Sequence, residues 1–208
     1  MTTDRSLQLN TRSELNRLLE RRIQWPEQSE QIDAEIRRRF AQIHAVVVLD
    51  MAGFSRRTAT QGIIPTLSLI HQMNCLAACV VEESGGEIIK LEADNIFAIF
   101  PDVSCAVETS VAILEKLLAM NLEASVGIGY GELLMVVAGD QYGNDIYGNE
   151  MNLASKLGED LAEHGEILIT ESAYQAWEGS NEVWVPVDFL ISHLQIRAYR
   201  WQCLPVLQ

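Results

Sequence analysis

The stretch Ala45-Val46-Val47-Val48-Leu49-Asp50 places a carboxylate directly after five apolar residues, and Ile88-Ile89-Lys90-Leu91-Glu92-Ala93-Asp94 ends in the same way. Continuous apolar runs bounded by turn residues are typical of buried strands. A carboxylate costs several kcal/mol to desolvate unless a cation or a hydrogen-bond donor meets it. Two carboxylates at the ends of neighbouring strands would repel each other. We therefore expect Asp50 and Asp94 to bind a hard divalent ion such as Mg²⁺ or Mn²⁺.

The composition and the charge limit the possible partners. Of the 208 residues, 48% are hydrophobic and 21% charged, which predicts a globular chain of one domain plus an extension. Residues 1–40 hold 8 of the 15 basic residues and 7 of the 29 acidic ones, so the remainder is strongly acidic. Because phosphate contacts need Lys and Arg, this acidic body argues against nucleic acid as a partner.

The N-terminus is polar, and no apolar stretch is expected to reach the length of a membrane span. We therefore expect no membrane segment, no signal peptide and a cytoplasmic location. Cys75 and Cys79 lie four residues apart on a predicted helix and are expected to be buried as small apolar residues rather than zinc ligands or disulfide partners.

The order of the predicted elements indicates an α+β fold. Helical periodicity over 13–23 and 29–40 predicts a helical N-terminal extension, residues 1–40, interpreted as a regulatory or dimer-contacting arm. From residue 41 the order is strand, helix, hairpin, helix, strand. This is a ferredoxin-like βαββαβ core with extra strands, in which a mixed, mostly antiparallel sheet is covered by helices. The predicted strands are 44–50, 87–91, 96–100, 123–129, 133–138, 167–170, 183–187 and 195–201, and the predicted helices are 66–83, 102–120, 149–163 and 171–177.

Four sequence blocks, at residues 49–55, 85–94, 126–132 and 145–157, resemble the class III nucleotidyl cyclase catalytic domain, the family of adenylyl and guanylyl cyclases. The resemblance covers roughly residues 43–202, and the four blocks occur in the family's order and spacing. It implies that residues 41–208 are a cyclase catalytic domain. Such an enzyme turns the ribose 3′-hydroxyl of a nucleoside triphosphate into a nucleophile for the α-phosphate, and pyrophosphate leaves.

The resemblance also implies the groups that carry this chemistry. Asp50 and Asp94 are the bridging ligands of two Mg²⁺ or Mn²⁺ ions about 4 Å apart, and the Met51 carbonyl is a further ligand. The turn that follows would offer its backbone N–H groups to the triphosphate, through Gly53, Phe54 and Ser55.

Base choice is expected to rest on Lys90 and Asp145, with Ile146 in the same backbone run. In adenylyl members of the family, a Lys and an Asp at these positions read the adenine edge, whereas guanylyl members usually carry Glu and a small residue. ATP is therefore the expected substrate, converted to 3′,5′-cyclic AMP and pyrophosphate.

Asn152 and Lys156 lie four apart on one helix face, where the family has Asn and Arg. By resemblance, Asn152 orients the ribose and position 156 stabilises the pentavalent phosphate. Lysine keeps the charge but lacks the planar fork of arginine. In the family the metal ligands come from one subunit and the other groups from its partner, so the full set in this chain predicts a head-to-tail homodimer with two equivalent sites.

Two alternatives stay open. A cyclase of this fold could use GTP or a pyrimidine nucleotide, if pocket residues on the first helix override Lys90 and Asp145. A weakly active or inactive ATP-sensing module, signalling through the N-terminal arm, would be consistent with Lys156. An unidentified regulator would act through the same arm. Diguanylate cyclases rank lower because the chain has no Gly-Gly-Asp-Glu-Phe-like loop.

Overall fold

The computed structural model describes residues 10–137, 144–191 and 194–202. Its α-helices are α1 (Arg12–Gln24), α2 (Ser29–Phe40), α3 (Phe54–Gln61), α4 (Ile63–Glu83), α5 (Val103–Ala119), α6 (Asn149–Ser155) and α7 (Glu171–Ala176). A π-helix, Lys156–Leu161, continues α6. The strands are β1 (Ala41–Met51), β2 (Glu87–Glu92), β3 (Asn95–Phe100), β4 (Ala124–Val136), β5 (Asp145–Tyr147), β6 (Ile167–Thr170), β7 (Trp184–Ile191) and β8 (Leu194–Trp201).

These strands form one open sheet in the order β2-β3-β1-β4-β6-β8-β7, and β5 pairs with β4. The pairing is antiparallel except between β4 and β6, which run parallel. The first four strands follow the order of a ferredoxin-like βαββαβ unit, and the remaining strands extend the sheet beyond β4. The predicted α+β class and mostly antiparallel sheet are confirmed.

The two faces of the sheet carry different helices. Alternate residues of β1 point to opposite faces. Val47 and Leu49 join the large core beneath α4, α5 and α7, whereas Val46 and Val48 join a smaller core that includes Met151 of α6. Asp50 continues the alternation of Val46 and Val48, so its carboxylate lies on the α6 face of the sheet.

Some element boundaries differ from the prediction. Strands expected at 123–129 and 133–138 are one strand, because β4 pairs with β1 without interruption from Ala41 opposite Leu134 to Met51 opposite Ala124. The helix expected at 66–83 begins at Ile63 and is preceded by the separate helix α3. The end of the predicted strand at Ala138 and the loop predicted at 139–143 lie outside the described residues.

Helix α4 corrects two expectations. Its 21 residues contain an 18-residue window with a mean hydropathy of 1.5, so by length and composition one described helix could cross a membrane. One face of α4 packs on the large core, which is also typical of a core helix in a soluble domain, whereas Ile64 is 75% exposed at its N-terminal end. The expectation of buried cysteines is wrong, because Cys75 and Cys79 lie on the exposed side of this helix.

The N-terminal helices pack directly on β4. Their buried residues form a cluster with Val136, namely Leu15, Leu18, Ile32, Ile36 and Phe40. Leu18 and Phe40 are fully buried, and each contributes about 1.5–3 kcal/mol by removal from water. The Thr11 side chain caps α1 by accepting a hydrogen bond from the Glu14 N–H. The division into residues 1–40 and 41–208 stays a prediction.

Candidate active site

The carboxylates of Asp50 and Asp94 belong to adjacent segments of the sheet. Asp50 stands opposite Asn95 in the β1–β3 ladder, and Asp94 occupies the two-residue turn that joins β2 to β3. The Met51 N–H donates a hydrogen bond to the Asp94 carbonyl oxygen at 3.2 Å. Ala93 completes the turn with φ of 53°, a left-handed conformation that costs a non-glycine residue about 1–2 kcal/mol.

The surroundings of Asp50 carry excess negative charge. Burial raises the pKa of Asp50 to about 7, and repulsion from Asp94, Glu159 and Asp160 adds to the shift. Burial also raises the pKa of Glu159. Glu159 and Asp160 lie on the π-helix and were not selected from the sequence, although they follow Lys156 by three and four residues.

These oxygen groups fit a divalent cation, because a bound cation would remove the repulsion that raises the Asp50 pKa. Within the described ranges, there is no group of three or more His, Cys, Asp or Glu side chains suited to hold a metal. A metal here would therefore be held by the two side chains of Asp50 and Asp94, by main-chain oxygen such as that of Met51, and by its substrate or water. Hard ions that keep part of their hydration shell accept such a ligand set.

The turn after β1 presents backbone donors. Gly53 has φ of 74°, a left-handed conformation that glycine adopts readily, and α3 begins at Phe54. Phe54 and Ser55 are in the first turn of α3, where N–H groups lack intrahelical acceptors. A cavity of about 330 Å³ beside this turn is lined in part by Gly53, Arg56, Arg57 and His164.

Lys90 and Asp145 are brought together although 55 positions separate them in the sequence. The Lys90 ammonium lies 3.2 Å from Asp145 Oδ1 and 3.2 Å from Glu92 Oε2, and it stands over the Phe97 ring at 4.6 Å. Burial lowers the pKa of Lys90, but its hydrogen bonds to Glu92 and Asp145 outweigh this and raise the net pKa. Glu92, whose role the sequence left open, is therefore an ion-pair partner of Lys90.

Two further residues hold Asp145, and neither was selected as a site residue from the sequence. Arg12 of α1 donates from Nη2 to Asp145 Oδ2 at 2.7 Å, and the Tyr147 hydroxyl donates to the same oxygen at 2.9 Å. The backbone N–H of Ile146 donates to Oδ1 at 2.9 Å. Burial would raise the Asp145 pKa, but these hydrogen bonds and that of Lys90 hold it below its ordinary value. The side chain of Ile146 is itself buried in the smaller core.

Asn152 and Lys156 are positioned by close contact between α6 and β4. A Cβ atom at Gly127 would lie 2.0 Å from the Ala154 carbonyl oxygen, so only glycine allows the helix backbone to approach this strand. Asn152 is exposed on α6. Lys156 begins the π-helix and forms an ion pair with Asp160 at 2.6 Å. The ammonium of Lys156 therefore has a carboxylate partner within its own chain.

A cavity of about 890 Å³ lies elsewhere, between the N-terminal helices and β4. Its lining includes Arg12, Leu134 and Tyr147, and it includes none of Asp50, Asp94 and Lys156. One chain thus presents three groups of predicted site residues. They are the predicted metal ligands Asp50 and Asp94, the predicted base-reading residues Lys90 and Asp145, and Asn152 with Lys156 on one helix. Neither the 890 Å³ cavity nor the 330 Å³ cavity is lined by any of these residues.

A carboxylate pair at the end of a sheet, beside a turn that begins a helix, is suited to bind a phosphate that carries a metal ion. The sequence profile of the adenylate and guanylate cyclase catalytic domain matches residues 44–188. The chain therefore belongs to this family and is a class III nucleotidyl cyclase domain. A search among curated proteins finds no match.

Solved structures of similar fold include both kinds of cyclase. The catalytic core of a rhodopsin-guanylyl cyclase with converted specificity, in complex with ATPalphaS, superposes with a TM-score of 0.69 at 18% identity, covering 78% of this chain and 98% of that chain. The adenylyl cyclase CyaB from P. aeruginosa has a TM-score of 0.64 at 22% identity, covering 77% and 95%. The guanylate cyclase domain of RhGC from Catenaria anguillulae, in complex with GTP, has a TM-score of 0.65 at 17% identity, covering 78% and 96%. At identities of 17% to 22%, these similarities show a shared fold and do not by themselves assign a substrate.

Proposed function

We propose that the chain is an adenylyl cyclase that converts ATP to 3′,5′-cyclic AMP and pyrophosphate. The contact of Lys90 with Asp145 at 3.2 Å carries this proposal. At the adenine edge, ring nitrogen N1 is an acceptor and the 6-amino group a donor, which matches an ammonium beside a carboxylate. Guanine has the opposite pattern, with a donor at N1 and an acceptor at position 6. The proposal is also consistent with the ATPalphaS complex of a similar fold.

Each step of the cyclisation is assigned to particular residues of the chain. The O3′–Pα bond forms, the bond from Pα to the pyrophosphate oxygen breaks, and the 3′-hydroxyl loses its proton. Asp50, Asp94 and the Met51 carbonyl would hold Mg²⁺ or Mn²⁺, which lowers the pKa of the attacking hydroxyl and neutralises the phosphates. The N–H groups of the turn at Gly53, Phe54 and Ser55 bind the triphosphate.

Asn152 and Lys156 complete the site from the second subunit of a head-to-tail homodimer. Asn152 orients the ribose, and Lys156 places positive charge on the transferring phosphate. The dimer is supported by apolar side chains left exposed on α4, where Ile63 is 47%, Ile64 75% and Leu67 51% exposed.

Product analysis tests the activity. The purified chain is incubated separately with ATP, GTP, CTP and UTP, first with Mg²⁺ and then with Mn²⁺, and the products are identified by mass spectrometry. Asp50→Ala is the inactive control. Cyclic AMP that is absent in the control is the expected result. A different cyclic nucleotide would keep the reaction and overturn the base assignment.

A mixing experiment tests the shared site. Asp50→Ala and Asn152→Ala are each expected to be inactive alone, whereas their mixture forms heterodimers with one intact site. We expect the mixture to recover about a quarter to half of the activity of one site. A mixture that stays as inactive as its components would exclude a site shared between subunits.

One observation favours a second candidate function, a weakly active ATP-sensing module. The Lys156 ammonium lies 2.6 Å from the Asp160 carboxylate. This ion pair neutralises the positive charge that would otherwise stabilise the transition state. ATP binding without any product, under all the metal conditions above, would favour this candidate.

A further inference from the structure

Among the described residues of the N-terminal arm, Arg12 contacts the candidate base-reading carboxylate of Asp145. Arg12, in the first turn of α1, reaches Asp145 with its Nη2 atom at 2.7 Å. Its Nη1 atom donates to the Tyr147 hydroxyl, and its guanidinium lies 5.1 Å from the centre of the Tyr147 ring. The arm predicted to be regulatory therefore contacts the very carboxylate proposed to read adenine.

The contacts of Asp145 use its full capacity to accept hydrogen bonds. An ionised carboxylate has about four lone-pair sites, two on each oxygen. Oδ1 accepts from the Ile146 N–H at 2.9 Å and faces the Lys90 ammonium at 3.2 Å. Oδ2 accepts from Tyr147 at 2.9 Å and from Arg12 at 2.7 Å. With these four donors in place, no lone pair is left for the amino group of a base.

Arg12 is the donor that a movement of the arm would remove. The Ile146 N–H and the Tyr147 hydroxyl belong to β5 itself, and Lys90 is needed to recognise the same base. Arg12 is part of a separate helix, and its side chain is only 22% exposed while it holds Asp145. The 890 Å³ cavity borders this contact, because both Arg12 and Tyr147 line it. There is therefore space beside the ion pair of Arg12 with Asp145.

We propose that Arg12 is an autoinhibitory contact, which occupies the Asp145 lone pair that the 6-amino group of adenine requires. A shift of α1 that withdraws Arg12 frees that lone pair and raises the affinity of the pocket for ATP. This inference rests on the proposed adenylyl cyclase function, and it names the arm residue through which regulation of that site would act.

The test compares Arg12→Ala with the wild type and with Arg17→Ala. Arg17 is on the same helix, and its guanidinium donates to the Glu14 carboxylate at 2.7 and 2.9 Å. Within the described residues its hydrogen bonds go to Glu14 alone, so Arg17→Ala controls for the loss of an arginine from α1. We measure KM and kcat for ATP, and separately the Kd of a non-cyclisable ATP analogue by calorimetry. Arg12→Ala is expected to lower KM and Kd by about tenfold or more, the range for one hydrogen bond to a charged group, with kcat little changed. Arg17→Ala is expected to match the wild type.

The other outcomes separate the inference from the function. An unchanged or raised KM and Kd in Arg12→Ala, with active protein, overturns the inhibitory role and leaves the cyclase function standing. If neither protein makes a product but Arg12→Ala binds the ATP analogue with the expected lower Kd than the wild type, the proposed catalysis is wrong and the autoinhibitory role of Arg12 holds. If the wild type and Arg12→Ala bind no nucleotide at all, both proposals are wrong. A circular dichroism spectrum equal to that of the wild type confirms that Arg12→Ala is folded.

Discussion

Replacing Asp50 by asparagine should stabilise the metal-free protein at high pH. The group sits beside Asp94, Glu159 and Asp160, and its pKa in the folded chain is about 7, raised chiefly by burial from an ordinary value of 3.8. Asparagine is of similar size and carries no charge, so it removes the repulsion without leaving a cavity. The carboxylate that we propose as a metal ligand is therefore one that weakens the fold when no cation is bound.

Because its pKa is raised in the folded chain, ionised Asp50 destabilises the fold at high pH. Below about pH 4 the carboxyl is protonated in both the folded and the unfolded states, and the penalty is absent. The penalty grows as pH rises from 3.8 towards 7 and is complete above the folded-state pKa. A pKa moved from 3.8 to about 7 corresponds to about 4 kcal/mol. Because Asp50 is partly exposed, solvent screening reduces this, and we expect a gain of about 2 kcal/mol for Asp50→Asn above pH 8.

Thermal unfolding measures this gain. In EDTA at pH 8.5, Asp50→Asn should unfold about 4–8 °C above the wild type, and the difference should vanish near pH 4. Added Mg²⁺ should stabilise the wild type but not the variant. Asp188→Asn is the matched control, since its hydrogen bond with Arg197 lowers the Asp188 pKa and its loss should not stabilise the chain at pH 8.5. An Asp50→Asn protein no more stable than the wild type at pH 8.5 would refute the electrostatic reasoning.

Gly127→Ala would place a Cβ atom 2.0 Å from the backbone of α6, so activity should fall about 100-fold in a cyclase assay as that helix is displaced. Gly165→Ala, strained by its φ of 84° but free of contacts, should lose stability without this loss of activity; equal activity losses would argue against displacement of α6. Lys156→Arg should raise kcat, because a guanidinium grips two phosphate oxygens at once; a lower kcat would show that the helix is adapted to lysine. The double change Lys90→Glu with Asp145→Cys should shift the ratio of kcat/KM towards GTP, and retained ATP preference would assign base choice to other residues.

Much of the fold could be predicted from the sequence, because strands and turns are marked by residues that are close together in the chain. The apolar run before Asp50 and the hairpin around Asp94 are marked by composition and turn residues, and both appear as predicted. The boundary between two strands near Gly131 was wrong, because the polar residues there are satisfied by a long ladder with β1 that no local window reveals. The exposure of Cys75 was also misjudged, since helical spacing alone does not say which face meets the core.

The chain's own residues determined its family and its α+β core. Desolvation cost marked Asp50 and Asp94 as candidate site residues, whereas the resemblance to the cyclase family selected Lys90 and Asp145. Only the tertiary structure showed that Arg12 holds Asp145 from 133 positions away and that Glu159 adds to the charge around Asp50. Surface charges of these kinds are common along any sequence, and which of them meet depends on the packing of α1 on β4 and on the turn of α6 into a π-helix. Those contacts are long-range consequences of the fold, and hydrophobic periodicity does not encode them.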